Sequence, residues 1–197
     1  MEFWTQEEFQ AFLECVADKP ISYYAFEMLY WTGIREGELL ALTPSDFNFE
    51  KKTLRINKSY QRLEGEDVIT DPKTPKSNRT IVMPDFLAVE MEDFISSLYG
   101  IRDDDRIFTI SKSYLHHEMD RGAKLAGVKR IRIHGLRHSH ISLLINLGFS
   151  ALAIGERVGH EAVDITYHYA HLFPTVQTDM AAQLETEREA LVNVRKE

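Results

Sequence analysis

The sequence predicts an α+β domain that is mostly α, with one small three-stranded antiparallel sheet, and three observations carry that prediction. Apolar residues recur along most of the chain at helical spacing, in segments bracketed by capping residues and glycines. Between residues 53 and 83 the period changes to two, in three short runs rich in β-branched residues. The 197 residues, 44% of them hydrophobic, suffice for one buried core.

Each element has its own signal. Thr5-Gln6-Glu7-Glu8 matches a capping box, and Phe9, Phe12, Leu13 and Val16 follow at helical spacing, so a first helix runs to about Ala17. A second extends from about Ile21 to a left-handed cap at Gly33, and Glu36 to Leu42 resume helical character until Thr43-Pro44-Ser45-Asp46 stops them. Thr53–Ile56, Val68–Thr70 and Thr80–Met83 are read as the three strands, with Lys73 and Lys76 in the second turn. Pro84 opens a helix that closes before Gly100, and Asp103-Asp104-Asp105 reads as a solvated turn. Ile107-Phe108 reads as a short buried segment. Further helices are expected from Ser113 to Gly127, from Leu136 to Leu147, after Ser150, from about Val163 to Tyr169, and from about Thr175 to Val192.

Composition narrows the function classes. No run of about 18 apolar residues is present, and the start Met1-Glu2-Phe3-Trp4-Thr5 is unlike a signal peptide, so the expected location is the cytoplasm. Cys15 is the single cysteine, which permits neither an internal disulfide nor a cysteine-rich metal site. The net charge of −8 is unevenly placed. Residues 1–50 carry two basic residues against ten carboxylates, whereas residues 121–137 carry six basic residues and no acid. Residues 51–79 carry eight basic residues against four acids. A polyanion therefore meets basic segments set in an acidic whole.

The chemistry concentrates in His134-Gly135-Leu136-Arg137-His138, Gly159-His160 and Tyr167-His168-Tyr169. On a helix starting near Gly135, His134, Arg137 and His138 share one face. The H-x-x-x-H pair is not read as a zinc site. Gly135 stands where a zinc protease has its glutamate, and Arg137 inside the pair repels a cation. A guanidinium there suits an anion, because it offers a fixed fork of donors to phosphate oxygens. With Arg35 and Lys73 upstream, two arginines, several histidines, a loop lysine and a tyrosine supply what phosphoryl transfer through a covalent tyrosyl intermediate requires.

Taken together, Thr32-Gly33-Ile34-Arg35-Glu36-Gly37-Glu38-Leu39, the His134-x-x-Arg137-His138 box, and Gly159-His160 followed nine residues later by Tyr169 resemble the tyrosine recombinase family. The likeness is to phage and conjugative-transposon integrases. It implies site-specific cleavage and rejoining of DNA through a 3′-phosphotyrosyl bond, with neither metal nor ATP as cofactor. Within it Arg35 and Arg137 correspond to the phosphate-binding arginines and Glu38 to the acid that orients Arg35. Lys73 corresponds to the general acid, with Lys76 as its competitor. His134 corresponds to the proton acceptor, His160 to a phosphate hydrogen bond, and His138 to a supporting, helix-anchoring residue. Tyr169 corresponds to the nucleophile, with Tyr167 as the alternative. Lys76, Arg79, Arg130 and Arg132 are expected to contact DNA. Rival readings are a type IB topoisomerase and a catalytically silent DNA-binding regulator.

The same resemblance implies an organisation. Residues 1–174 correspond to the catalytic domain, and 175–197 to a C-terminal helix that is exchanged between protomers in the family. The family's N-terminal DNA-binding domains are expected to be absent from this fragment. Expected partners are double-stranded attachment sites, three further copies in a tetramer of the full-length protein, and accessory DNA-bending or directionality proteins. The fragment itself is expected to be monomeric, and no membrane is involved.

Overall fold

In the computed structural model, which describes residues 2–71, 77–159, 169 and 184–186, the first helix begins where the capping box places it. The Thr5 hydroxyl accepts from the Glu8 amide at 3.2 Å, and the Glu8 carboxylate accepts from the Thr5 amide at 2.9 Å. The helix α1 (Gln6–Val16) buries Phe9, Phe12, Leu13 and Val16, the four residues whose spacing predicted it. Helix α2 (Pro20–Thr32) lies against it, with Phe9 stacked on Tyr30 at 3.8 Å between ring centres. Then come α3 (Glu36–Ala41), α4 (Asp85–Ser97), α5 (Lys112–Ala126), α6 (Ile133–Asn146) and α7 (Ala151–Val158). Their boundaries differ from expectation by one to three residues. Ser111, not Ser113, caps α5, with its hydroxyl accepting from the Tyr114 amide. Helix α6 begins before Gly135, so His134 stands in its first turn.

Two long-range packings set the frame. Helices α1 and α5 run close at Gly122, where a methyl group would collide with Phe12 and Val16. Trp4 ties the start of the chain to α6: its amide donates to Ser139 Oγ at 2.8 Å and its indole to Lys129 O at 2.7 Å. The buried cluster continues through Phe26, Met28, Leu39, Leu54, Met91, Phe108, Met119 and Leu136, so this core joins α1 to α6 and the sheet, while Ile141, Ile145, Ile154, Val158 and Tyr169 form a second cluster. The Asp103–Asp105 stretch is a turn, in which Asp105 accepts from Arg102.

The sheet differs from expectation in its pairing. A three-stranded antiparallel sheet is present, in the order β1 (Phe47–Asn48), β2 (Thr53–Ile56), β5 (Arg79–Val82). The middle run, Val68–Thr70, belongs instead to β4 (Glu66–Thr70), which pairs only with β3 (Ser59–Leu63) as a separate ribbon. The turn decides this. Glu64 and Gly65 both take positive φ, 51° and 90°, the conformation of a two-residue hairpin turn whose twist folds β4 straight back onto β3. Strand β3 was unread because Ser59-Tyr60-Gln61-Arg62-Leu63 buries only Tyr60. Residues 72–76, with Lys73 and Lys76, lie outside the described residues, as do the expected helix near Val163 and nearly all of the C-terminal helix. Leu184 is described, and it is exposed.

Candidate functional site

The site forms where α2 and α7 end. Gly33, at φ 65°, turns the chain off α2, and a Cβ there would sit 2.5 Å from His140 Cδ2, so both conformation and space require glycine. Two residues later Arg35 is the N-cap of α3. Glu38, in the third position of that helix, accepts from the Arg35 amide at 2.8 Å and from Arg35 Nη1 at 2.8 Å. One carboxylate thus caps the helix and aims the guanidinium, which explains the spacing of Arg35 and Glu38.

Arg137, in the second turn of α6 and 1% exposed, projects between the two helix ends. Its Nη1 donates to Gly33 O at 2.6 Å and its Nη2 to Val158 O. Arg35 Nη2 reaches Gly159 O at 3.4 Å. These are carbonyls that the ends of α2 and α7 leave without helical partners, and helix C-termini carry partial negative charge, so they suit cations. Gly159, at φ 70°, caps α7 in the left-handed conformation just as Gly33 caps α2. Burial and the neighbouring charge of Arg35 draw the Arg137 pKa down to about 9, and it remains a cation at neutral pH. Its Nε is buried without a hydrogen-bond partner among the described residues.

Arg79 is a correction. Expected to contact DNA, it lies inside, 9% exposed, because β5 alternates and turns Arg79 and Ile81 inward. Its Nη1 and Nη2 donate to the two oxygens of Glu38 at 3.1 and 3.0 Å, and Nη1 also to Ser77 O at 3.0 Å. Burial pushes the Glu38 carboxyl up, but the bonds and charge of Arg79, with those of Arg35, outweigh it and leave the pKa below its ordinary value. Glu38 is therefore a shared anion between two guanidiniums. The pocket still holds an excess of positive charge, with Arg35, Arg79 and Arg137 against that one carboxylate.

The histidines and tyrosine line up beside this charge. His134 is exposed, and its ring meets that of His138 edge-on at 4.8 Å. The surrounding protein, then Arg137 and Arg35, hold the His134 imidazole below its ordinary pKa. His138 Nδ1 shares a hydrogen bond with the Tyr169 hydroxyl, a contact that the sequence, which gave His138 a supporting place, did not disclose. Tyr169 is 3% exposed and packs with Ile141, Ile145, Ile154 and Val158. Burial pushes its phenol up to about 12, with Arg137 opposing, so the neutral form prevails.

Of the candidate residues, Arg35, Glu38, His134, Arg137, His138 and Tyr169 cluster together. Lys73, Lys76, His160 and Tyr167 lie outside the described residues. Arg130 and Arg132 are exposed near the start of α6, and Arg130 Nε donates to Asp120 Oδ1 at 2.7 Å. Among the described residues no group of three His, Cys, Asp or Glu side chains is placed to hold a metal ion. Sequence reasoning named Arg79 only as a DNA contact and did not single out Arg157, whose Nε donates to His140 Nε2 at 3.1 Å beside the end of α7. The inward phase of β5 is the signal that could have found Arg79.

Comparison with known proteins identifies the family of the chain. ICEBs1 integrase of Bacillus subtilis (strain 168) is 32% identical over 94% of this chain and 54% of its own length. A protein named tyrosine recombinase XerC-like, from Caldanaerobacter subterraneus subsp. tengcongensis, is 26% identical over 93% of the chain and 54% of its own. The chain thus spans about half the length of the curated relatives it matches. Among solved structures, Tn1549 transposon integrase in complex with a circular intermediate DNA superposes with a TM-score of 0.78 at 22% identity, covering 92% of this chain and 66% of that one. The catalytic domain of bacteriophage HP1 integrase gives 0.64 at 20% identity, covering 92% and 94%. With residues 2–175 also matching the sequence profile of the phage integrase family, this chain belongs to that family.

Proposed function

We propose that this chain is the catalytic domain of a site-specific DNA recombinase that cuts and rejoins strands through a phosphotyrosine. The observation that carries the reading is the placement of the Tyr169 hydroxyl, bonded to His138, beside a pocket where Arg35 and Arg137 leave positive charge in excess. In this reading the two guanidiniums take the non-bridging oxygens of the scissile phosphate. They neutralise the charge that grows as the phosphorus becomes pentavalent. Tyr169 Oη attacks the phosphorus, the bond to the 5′ oxygen breaks, and a 3′-phosphotyrosyl bond keeps the energy for rejoining. With its phenol up at about 12, Tyr169 needs a proton acceptor. The proton passes to the His134 and His138 pair, His138 Nδ1 being the atom already in contact.

Lys73 protonates the departing 5′ oxygen, and His160 adds a hydrogen bond to the phosphate. Arg130, Arg132 and Lys76 contact the DNA backbone, and Arg79 leaves that group. The balance of charge within the step requires neither metal nor nucleotide. Kinship with an integrase favours strand exchange between duplexes over relaxation of one. The partners are then double-stranded attachment sites and three further copies of the full-length protein, with residues 175–197 exchanged between protomers, and accessory DNA-bending or directionality proteins. The proposed setting is the cytoplasm, where the DNA substrate of this reading lies; among the described residues no helix is long and apolar enough to cross a membrane.

The test is covalent capture on nicked duplexes, selected from a pool for cleavage, in EDTA. The wild-type protein forms a protein–DNA adduct that survives denaturation, and Tyr169→Phe forms none. An adduct that persists in Tyr169→Phe, or that requires a divalent metal, overturns the proposal.

A further inference from the structure

Three consecutive backbone carbonyls end α7, and each accepts from a different guanidinium. Arg79 Nε donates to Arg157 O at 2.9 Å, Arg137 Nη2 to Val158 O, and Arg35 Nη2 to Gly159 O at 3.4 Å. The last turn of one helix therefore organises three cations, two of which face the proposed phosphate site.

What fixes that turn is the side chain of Arg157. Its Nη1 donates to Val82 O on β5 at 3.0 Å, its Nη2 to Trp31 O in the last turn of α2 at 3.3 Å, and its Nε to His140 Nε2 on α6 at 3.1 Å. One planar fork bolts the end of α7 to three other elements. His140 can accept because it is neutral: burial, then the charge of Arg157, hold its imidazole down to about 3. Arg79 closes the same frame from the other side, clamping Glu38, which in turn aims Arg35.

Such an arrangement is a weak source of net stability. Buried charges are costly to desolvate, and apolar replacements of similar volume are often as stable or more so. Gathering three guanidiniums on the last turn of one helix, two of them sharing one carboxylate, makes physical sense where their geometry matters more than their contribution to stability. We infer that Arg157 and Arg79 are positioning residues for strand cleavage: they hold the α7 carbonyls and the Glu38 carboxylate that aim Arg137 and Arg35 at the scissile phosphate. The inference rests on the recombinase reading above, and assigns Arg79 and Arg157 no contact with the DNA.

The experiment compares two nicked duplexes of a sequence that the wild-type protein cleaves. One carries the ordinary scissile phosphate. The other carries a methylphosphonate there, in which a methyl group replaces one non-bridging oxygen and removes the charge. Arg157→Lys and Arg79→Lys keep the positive charge but lose the fork. On the phosphate duplex each variant is expected to lose on the order of 100-fold in the rate of adduct formation, with DNA affinity nearly unchanged. On the methylphosphonate duplex the loss shrinks, because less charge awaits an aimed guanidinium, and Arg35→Ala sets the scale of that shrinkage.

Both duplexes meet the same preparation, so a partly unfolded variant slows both alike and leaves the ratio of rates as in the wild type. An unchanged ratio, with or without a loss of rate, overturns the inference. Arg157→Gln and Arg79→Gln provide a second pair should a lysine variant fail to fold. A wild-type protein that forms no adduct through Tyr169 on the phosphate duplex sinks the recombinase reading; an adduct with unchanged ratios in the variants sinks only the positioning role.

Discussion

Glu38 and Glu27 are taken almost equally far from water, 5% and 4% exposed, and they end with opposite affinities for a proton. Glu38 lies between Arg79 and Arg35 and is held below the ordinary carboxylate range, although burial alone would raise it. Glu27 lies on α2 facing Glu90 of α4. Burial and the charge of Glu90 push it up to about 7, and a hydrogen bond from Trp31 offsets only part of this. The lesson is that burial does not set the charge of a carboxylate; its partners do. One corner of the fold gathers cations around an anion and stays charged. The other brings two acids together, leaves Glu90 Oε2 buried without a partner among the described residues, and raises both carboxyl pKa values.

The strongest way to break the comparison is to remove the anion from the cationic corner. Glu38→Leu leaves Arg79 and Arg35 without their carboxylate, and loss of one partner of a buried pair costs about 3–5 kcal/mol. Urea unfolding at neutral pH measures it; a loss under ~1 kcal/mol would mean that the guanidiniums find other acceptors. Removing a cation tests function in place of stability. Arg137→Ala should slow adduct formation by about 100-fold to 1,000-fold, equivalent to ~2.7–4 kcal/mol of transition-state stabilisation. Unaltered single-turnover rates would remove Arg137 from the phosphate site.

The acidic corner responds with the opposite sign. Glu27→Gln keeps the shape and removes the charge, so it should stabilise the protein at pH 8 by on the order of 2–3 kcal/mol. The sign follows from the pKa. Folded Glu27 holds its proton up to about 7 against an ordinary 4.5, so ionisation disfavours the folded state progressively as pH rises between those values. The gain from Glu27→Gln should therefore vanish below pH 4.5 and be complete above pH 7. Glu38 runs the other way: its contribution is present above its ordinary pKa of 4.5 and is lost as pH falls below it. Unfolding curves of the wild type, Glu27→Gln and Glu38→Gln across pH 3.5 to 8 separate the two; parallel curves would contradict the distinction.

Much of this is legible in the sequence, for identifiable reasons. The capping box at Thr5 and Glu8 and the glycine ends at Gly33 and Gly127 are local signals, decided within one turn of chain, and the helices begin and end there. Arg35, Arg137 and Tyr169 were readable because they match the motifs of the tyrosine recombinase family in residue type and order, and the fold brings them close together. Non-local pairing was not readable. Nothing in Ser59-Tyr60-Gln61-Arg62-Leu63 marks a strand until Glu64-Gly65 is seen as a tight turn. Arg79 looked like a surface cation because charge suggests exposure, and only its strand phase, set against Glu38 forty-one residues earlier, turns it inward. His138 likewise gains its meaning from Tyr169, thirty-one residues away.

The claim on which the rest depends is that Tyr169 is the nucleophile of this pocket. Digesting the denatured protein–DNA adduct with nuclease and protease, then sequencing the modified peptide by mass spectrometry, tests it directly. The account predicts a 3′-phosphonucleotide on the Tyr169 oxygen and on no other residue. Modification of Tyr167, of another tyrosine, or of a serine would contradict it.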